Sequence, residues 1–201
     1  MCNLYRMTKN SDEVARWFDV QNAAVAANLS AEIYPGYPGL VIAGGSLRRM
    51  IWGFPLQAKG ARGQPLKPKP VNNARSDKLG GAFWRSSFVE RRCLIVLNGW
   101  AEAEGMKGAK TRSWFSMPGG DLFTAAGIWR NSAEWGDVYS MVMTGCEQRY
   151  ADVHDRMPVL ITEENRPVWT DAPPEDAFAL CRPWEGSLDL ERTSEPWAGR
   201  G

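Results

Sequence analysis

Hydrophobic and polar positions change their period along this chain. Near the start, Asn10-Ser11-Asp12-Glu13 offers a helix cap with an acidic residue three places on, and Val14, Trp17 and Phe18 follow at helical spacing. That pattern predicts an amphipathic surface helix over residues 11–27. After the turn YPGYPG come short apolar or alternating runs bounded by turn residues, and these predict strands at 40–43, 49–52, 93–97, 113–117, 122–126 and 138–144. The gap between Gly53 and Arg91 is polar and rich in Gly and Pro, so it predicts a long loop with one helical turn near 82–86. A loop of that length in a compact domain is usually functional. Residues 162–169 and 173–181 read as short helices, the second opened by Pro173 and Pro174, and the tail after about residue 184 reads as loosely ordered. Helices mixed with runs of strands predict a single α+β domain over 1–201, with a mainly antiparallel, barrel-like sheet flanked by short helices.

Composition narrows the class. With 201 residues, 44% hydrophobic and 23% charged, the chain can bury a core and is not a disordered or tail-like segment. No run approaches the roughly 18 apolar residues of a membrane span, and MCNLYRMTKN lacks the apolar stretch of a signal peptide. A soluble, cytoplasmic protein with no membrane partner is expected. Cys2, Cys93, Cys146 and Cys181 are widely spaced with no CxxC pair, so neither a disulfide framework, a metal site nor a cofactor is expected. Nothing resembles a coiled-coil seam, and a monomer is expected.

Charge changes the picture more. The net charge is +1, yet residues 48–92 hold eleven basic side chains against only Asp77 and Glu90, a local net of +9. Arg48, Arg49, Arg75 and Arg85 belong to that segment. Local positive charge inside a neutral protein suits a polyanion-binding groove, although a stretch such as KGARGQPLKPKP could equally be a solvated loop. Trp is the other outlier, at 10 residues. Trp17, Trp114 and Trp129 sit among apolar neighbours and read as core. Trp52 and Trp84 are flanked by Arg and Gly, and each is either core or a platform on which an unstacked base can lie.

Several positions could carry chemistry. Removal of Met1 would leave Cys2 at the N-terminus, with a thiol and an α-amine on adjacent carbons. Ordinary pKa values of about 8.5 and about 7.7–8 make both nucleophilic near neutrality. Such an aminothiol condenses with an aldehyde through a Schiff base and closes to a thiazolidine; an incidental second-position Cys is the bland alternative. His154, the single histidine, lies near Asp152 and Asp155, which predicts a raised pKa and a general acid, unless it is simply a surface histidine. Glu102 and Glu104 follow the strand at 93–97, and either could be an acid or base. Asn73 could orient a substrate, and Arg75 could grip a phosphate.

Met-Cys at the start, WGF at 52–54, NARSD at 73–77, RCL then NGWAE within 92–102, AGIWR at 126–130 and HDRMPVLIT at 154–162 occur in the order and spacing of one family. By these motifs the chain resembles the SOS-response-associated peptidase (SRAP) family over nearly its whole length. The resemblance implies covalent linkage to abasic sites in single-stranded DNA, with an autopeptidase activity that removes Met1. It implies Cys2 as nucleophile, Asn73 as the residue that positions it, Glu102 as acid or base, His154 as proton donor to the opened sugar, and Arg75 as a phosphate contact. The chain departs from the family pattern at its start, which reads Met1-Cys2-Asn3-Leu4-Tyr5 where the family often has Met-Cys-Gly-Arg, so an early Arg contact to DNA is missing or is supplied by Arg6. It departs again at Trp100-Ala101-Glu102-Ala103 and at NARSD, where the family has Phe-Tyr-Glu-Trp and NARSE. Two other functions compete: a thiol peptidase acting on peptides through Cys2, Glu102 and His154, and a noncatalytic single-strand binder stacking bases on Trp52 and Trp84.

Overall fold

The computed structural model describes residues 2–24 and 29–197. In chain order its elements begin with β1 (Leu4–Arg6), α1 (Ser11–Phe18), β2 (Gln21–Asn22), β3 (Glu32–Ile33), β4 (Pro38–Ala43), β5 (Ser46–Trp52), β6 (Phe54–Leu56), β7 (Lys69–Val71) and β8 (Asn73–Arg75). They continue with α2 (Arg85–Glu90), β9 (Arg92–Leu97), β10 (Gly99–Glu104), β11 (Thr111–Ser116), β12 (Phe123–Ser132) and β13 (Gly136–Gly145). The last are β14 (Arg156–Pro158), β15 (Leu160–Ile161), α3 (Arg166–Asp171), α4 (Pro174–Ala179) and β16 (Asp189–Pro196).

Five strands close a barrel. β12 pairs with β13 and β9, β9 with β4, β4 with β5, all antiparallel, and β5 closes onto β13 in parallel. A second sheet, in the order β16-β11-β10-β1-β3, packs against it. Trp100 of this sheet stacks on Phe115 and meets Phe123 of the barrel edge-on, so both sheets share one apolar cluster. Closure leaves few free sheet edges, and the fully buried Trp52, Trp100 and Trp169 each contribute roughly 2–3 kcal/mol by burial. The α+β, barrel-like architecture read from the sequence is the observed one, and each of the six predicted strands falls on β4, β5, β9, β11, β12 or β13 with shifted ends.

The predicted helix starts where expected. Asn10 and Glu13 form a reciprocal capping box, each side chain accepting from the other's backbone N–H at 2.9 Å. The helix then stops early, because Asp19 turns left-handed at φ 51° and returns its N–H to the Ala15 and Arg16 carbonyls. The chain enters β2 instead, parallel to β5. Residues 25–27 of the expected helix lie outside the described residues. Trp17, read as core, is 51% exposed on this short helix.

Two other expectations are corrected. The segment 53–91 is not one loop: β6 and β7 pair with each other, β8 runs parallel to β13, and α2 covers Arg85–Glu90. Their ladder partners are distant in sequence, so local polarity did not decide the outcome. The tail is also ordered in part, since β16 pairs antiparallel with β11 from Asp189 to Pro196. Arg92 fastens the helices to the barrel: its buried guanidinium donates to the carbonyls of Phe88, Trp169 and Ala172, at the ends of α2 and α3.

Candidate functional site

The start of the chain is held by two amides. Cys2 precedes β1, which runs antiparallel to β10 with Leu4 opposite Ala101, a register that carries Cys2 and Asn3 alongside Glu102. The Cys2 carbonyl accepts from Asn73 Nδ2 at 2.7 Å and from Asn72 Nδ2 at 2.9 Å. Asn72 Nδ2 also donates to Asn3 Oδ1 at 3.0 Å. The Cys2 thiol is fully buried and donates to the Leu4 carbonyl at 3.5 Å. Burial pushes its pKa well up, and the charge of Glu102 pushes the same way.

Asn72 and Asn73 are set by the barrel. β8 lies parallel to β13 with Asn73 opposite Met141, and the Asn72 carbonyl accepts from Met141 N at 2.9 Å and from Trp52 Nε1 at 3.0 Å. Trp52 is therefore an internal support for the asparagine pair. With no exposed surface it offers no face to a base. Trp84 is also core, packed edge-on to Phe83 and tilted against Phe54. The stacking alternative for both tryptophans is thus corrected to packing.

Glu102 sits within β10, opposite Ser113, and is 2% exposed. Burial raises its pKa to about 7. His154 arrives from the connection between β13 and β14, with its Nε2 3.8 Å from Glu102 Oε2. Its Nδ1 accepts from the Arg156 backbone N–H at 3.0 Å, which selects the neutral tautomer carrying its proton on Nε2, on the side of Glu102. The raised His154 pKa expected from sequence is reversed. Burial lowers it, the charge of the N-terminal amine pushes the same way, and together they outweigh Asp155, whose Oδ1 lies 3.1 Å from Nδ1, while Asp152 is engaged by Arg192 at 2.5 Å. The structure also separates Glu102 from Glu104. Against partial burial, the Ser113 hydroxyl and Arg192 hold Glu104 below the usual carboxylate range, and its two oxygens are taken up by them.

Cys2, Asn73, Glu102 and His154 are thus gathered from the segment before β1, from β8, from β10 and from the loop before β14. Arg75 lies two residues beyond Asn73, exposed, with Nε and Nη2 on the Asp77 carboxylate at 2.9 and 2.6 Å. Arg48, Arg49 and Arg85 sit on β5 and α2, which contribute none of the four: Arg48 lies over Trp129, and Arg49 and Arg85 face solvent. Arg6 lies over Trp114, 4.6 Å from the ring centroid, so it is placed on the second sheet. Asn72 and Arg192 escaped the sequence reading. Asn72 carried a signal, an amide directly before Asn73; Arg192 carried none, being 88 residues from the glutamate it holds. Among the described residues, no three His, Cys, Asp or Glu side chains are grouped to hold a metal ion. No described helix is long and apolar enough to cross a membrane.

The family described as SOS response associated peptidase (SRAP) matches residues 1–195. The chain is 24% identical to the abasic site processing protein YoqW of Bacillus subtilis, covering 95% of this chain and 90% of that protein. It is 23% identical to YobE of the same organism, also named an abasic site processing protein, over 95% and 92% of the two chains. A crystal structure from Bordetella bronchiseptica superposes with a TM-score of 0.79 at 20% identity, over 96% of this chain and 99% of that one. One from Bacteroides thetaiotaomicron gives 0.78 at 16% identity, over 95% and 91%.

Proposed function

Since the chain belongs to the SOS response associated peptidase family, we propose that it processes abasic sites in single-stranded DNA by trapping them covalently on Cys2. The observation that carries this reading is the 2.7 Å hydrogen bond from Asn73 to the Cys2 carbonyl, which holds the second residue beside Glu102 and His154. Loss of Met1, consistent with the peptidase in the family's description, frees the α-amine. An abasic deoxyribose is in equilibrium with a ring-opened aldehyde. The amine adds to that carbonyl, water leaves to give a Schiff base, and the thiol sulfur adds to the same carbon to close a thiazolidine. In this scheme Glu102, titrating at about 7, takes protons from the amine and thiol, and the latter needs a base because burial disfavours its thiolate. His154, neutral with its proton on Nε2, donates to the opened sugar oxygen. Arg75 holds a backbone phosphate once Asp77 releases it.

The peptide-hydrolase alternative draws no support from the basic segment, and the binder alternative loses its platforms with Trp52 and Trp84 buried. The test is a denaturing gel of protein mixed with single-stranded DNA carrying one abasic site, wild type beside Cys2→Ala. A retarded band for wild type alone is expected. An adduct that survives Cys2→Ala would overturn the reading.

A further inference from the structure

We propose that Arg192, on the last strand, is a positioning residue that clamps the Glu102 strand to the His154 loop. The inference rests on the reading above for its consequence in catalysis, though not for its geometry. Arg192 Nε lies 2.9 and 3.1 Å from the two Glu104 oxygens, and Arg192 Nη2 lies 2.5 Å from Asp152 Oδ2. Glu104 is two residues from Glu102 on β10, and Asp152 is two residues before His154. One guanidinium therefore bridges the two segments whose side chains meet at 3.8 Å.

The loop has modest support of its own. Val153 and His154 donate backbone N–H groups to the Tyr150 carbonyl at 3.1 and 3.3 Å, Cys146 N donates to the Asp155 carbonyl at 2.9 Å, and β14 begins only at Arg156. A planar fork that engages two carboxylates at once fixes a separation that a single-point contact cannot. Arg192 is itself held in register by β16, whose pairing sets Ser113 opposite Arg192, and Ser113 donates to the same Glu104. The final strand is thus a structural part of the site. Each ion pair is partly solvated, so the clamp acts by geometry more than by stability.

The chain's single histidine makes the test direct, because one imidazole resonance titrates in the NMR spectrum. The charged groups that act on that ring include the N-terminal amine, Glu102 from β10, Asp155 from its own loop and Lys110 from the turn before β11. Wild type, Arg192→Gln and Asp152→Asn are titrated, and adduct formation with abasic single-stranded DNA is timed for each. Release of the loop rehydrates His154, so both variants are expected to raise its midpoint toward the ordinary value of about 6.5 and to slow adduct formation severalfold. Arg192→Lys is expected to restore part of both.

A purely electrostatic role gives a different pattern, because Asp152→Asn removes a negative charge and would lower the midpoint while Arg192→Gln raises it. That opposite response, or no shift in either variant, would overturn the clamp. Asp152→Asn leaves the Arg192–Glu104 contact and β16 in place, so it decides the matter if Arg192→Gln fails to fold. A wild type that forms no adduct would defeat the functional reading while the titration still judged the clamp. An adduct in wild type with unmoved midpoints would do the reverse.

Discussion

Asn73 donates its side-chain amide to the carbonyl of Cys2 across 71 positions of sequence, and Asn72 donates to the same oxygen. The second residue of the chain is thereby fixed to β8, the short strand paired to β13 of the barrel. Preorganisation of this kind spares the reaction the entropy of ordering a chain terminus.

Removing one of the two amides leaves the carbonyl with the other. Asn73→Ala is expected to slow single-turnover adduct formation roughly tenfold, the equivalent of about 1–1.5 kcal/mol for a lost hydrogen bond. Asn72→Ala together with Asn73→Ala is expected to cost more than the product of the single effects, because the buried carbonyl then has neither partner. Wild-type rates in Asn73→Ala would contradict this.

Glu102 is held protonated by burial to about pH 7, whereas in the unfolded chain it ionises near its ordinary value of about 4.3. A raised carboxyl pKa contributes stability that is complete below the unfolded value and is lost as pH rises through the folded one. Glu102→Gln is therefore expected to match wild type near pH 4 and to exceed it at pH 8, by about 4 kcal/mol at most. Denaturant unfolding at the two pH values measures the difference; equal stabilities at pH 8 would contradict the assignment.

The same ionisation governs rate if Glu102 is the base. Adduct formation is expected to rise with pH through a midpoint of about 7, and Glu102→Gln is expected to be slow with that step absent from its pH–rate profile. A midpoint retained in Glu102→Gln would assign it to another group.

Arg75 spends its fork on Asp77 in the free protein. Asp77→Asn is expected to tighten reversible binding of single-stranded DNA. Arg75→Gln is expected to weaken it and to lower the slope of log K against log salt by about 0.7, the share of one phosphate. Fluorescence anisotropy across a salt series reads both, and an unchanged slope in Arg75→Gln would remove it from the DNA contacts.

Gly39 makes room for a buried pair. The hydroxyls of Tyr5 and Tyr139 hydrogen-bond to each other beside it, and a Cβ there would lie well inside van der Waals contact of both oxygens. Gly39→Ala is expected to destabilise the fold by about 2–3 kcal/mol through overpacking and loss of that bond. Chemical denaturation checks it, with near-wild-type stability as the contrary result.

What was legible in the sequence follows from how local its cause is. The barrel strands announced themselves because apolar runs such as Cys93 to Leu97 are buried whatever they pair with, and the capping box at Asn10 is a contact within four residues. Asp19 ended the helix by a left-handed turn that the apolar spacing beyond it did not reveal. β8 and β16 were invisible because their partners, β13 and β11, lie far along the chain. The four candidate residues were legible from their side-chain chemistry, and motif order chose Glu102 over Glu104. The sign of the His154 shift was not, since the neighbouring aspartates were legible while the burial of the ring, and the capture of Asp152 by Arg192, belong to the tertiary structure. For the same reason Trp52 and Trp84, flanked by Arg and Gly in sequence, turned out to face inward.

The central claim is tested most directly by the intact mass of the product formed with an abasic single-stranded oligonucleotide. A thiazolidine on Cys2 requires the mass of the chain without Met1 plus that of the DNA, less one water, with peptide mapping placing the DNA on the N-terminal peptide. An adduct that retains Met1, or one mapped to a lysine of the basic segment, would contradict it.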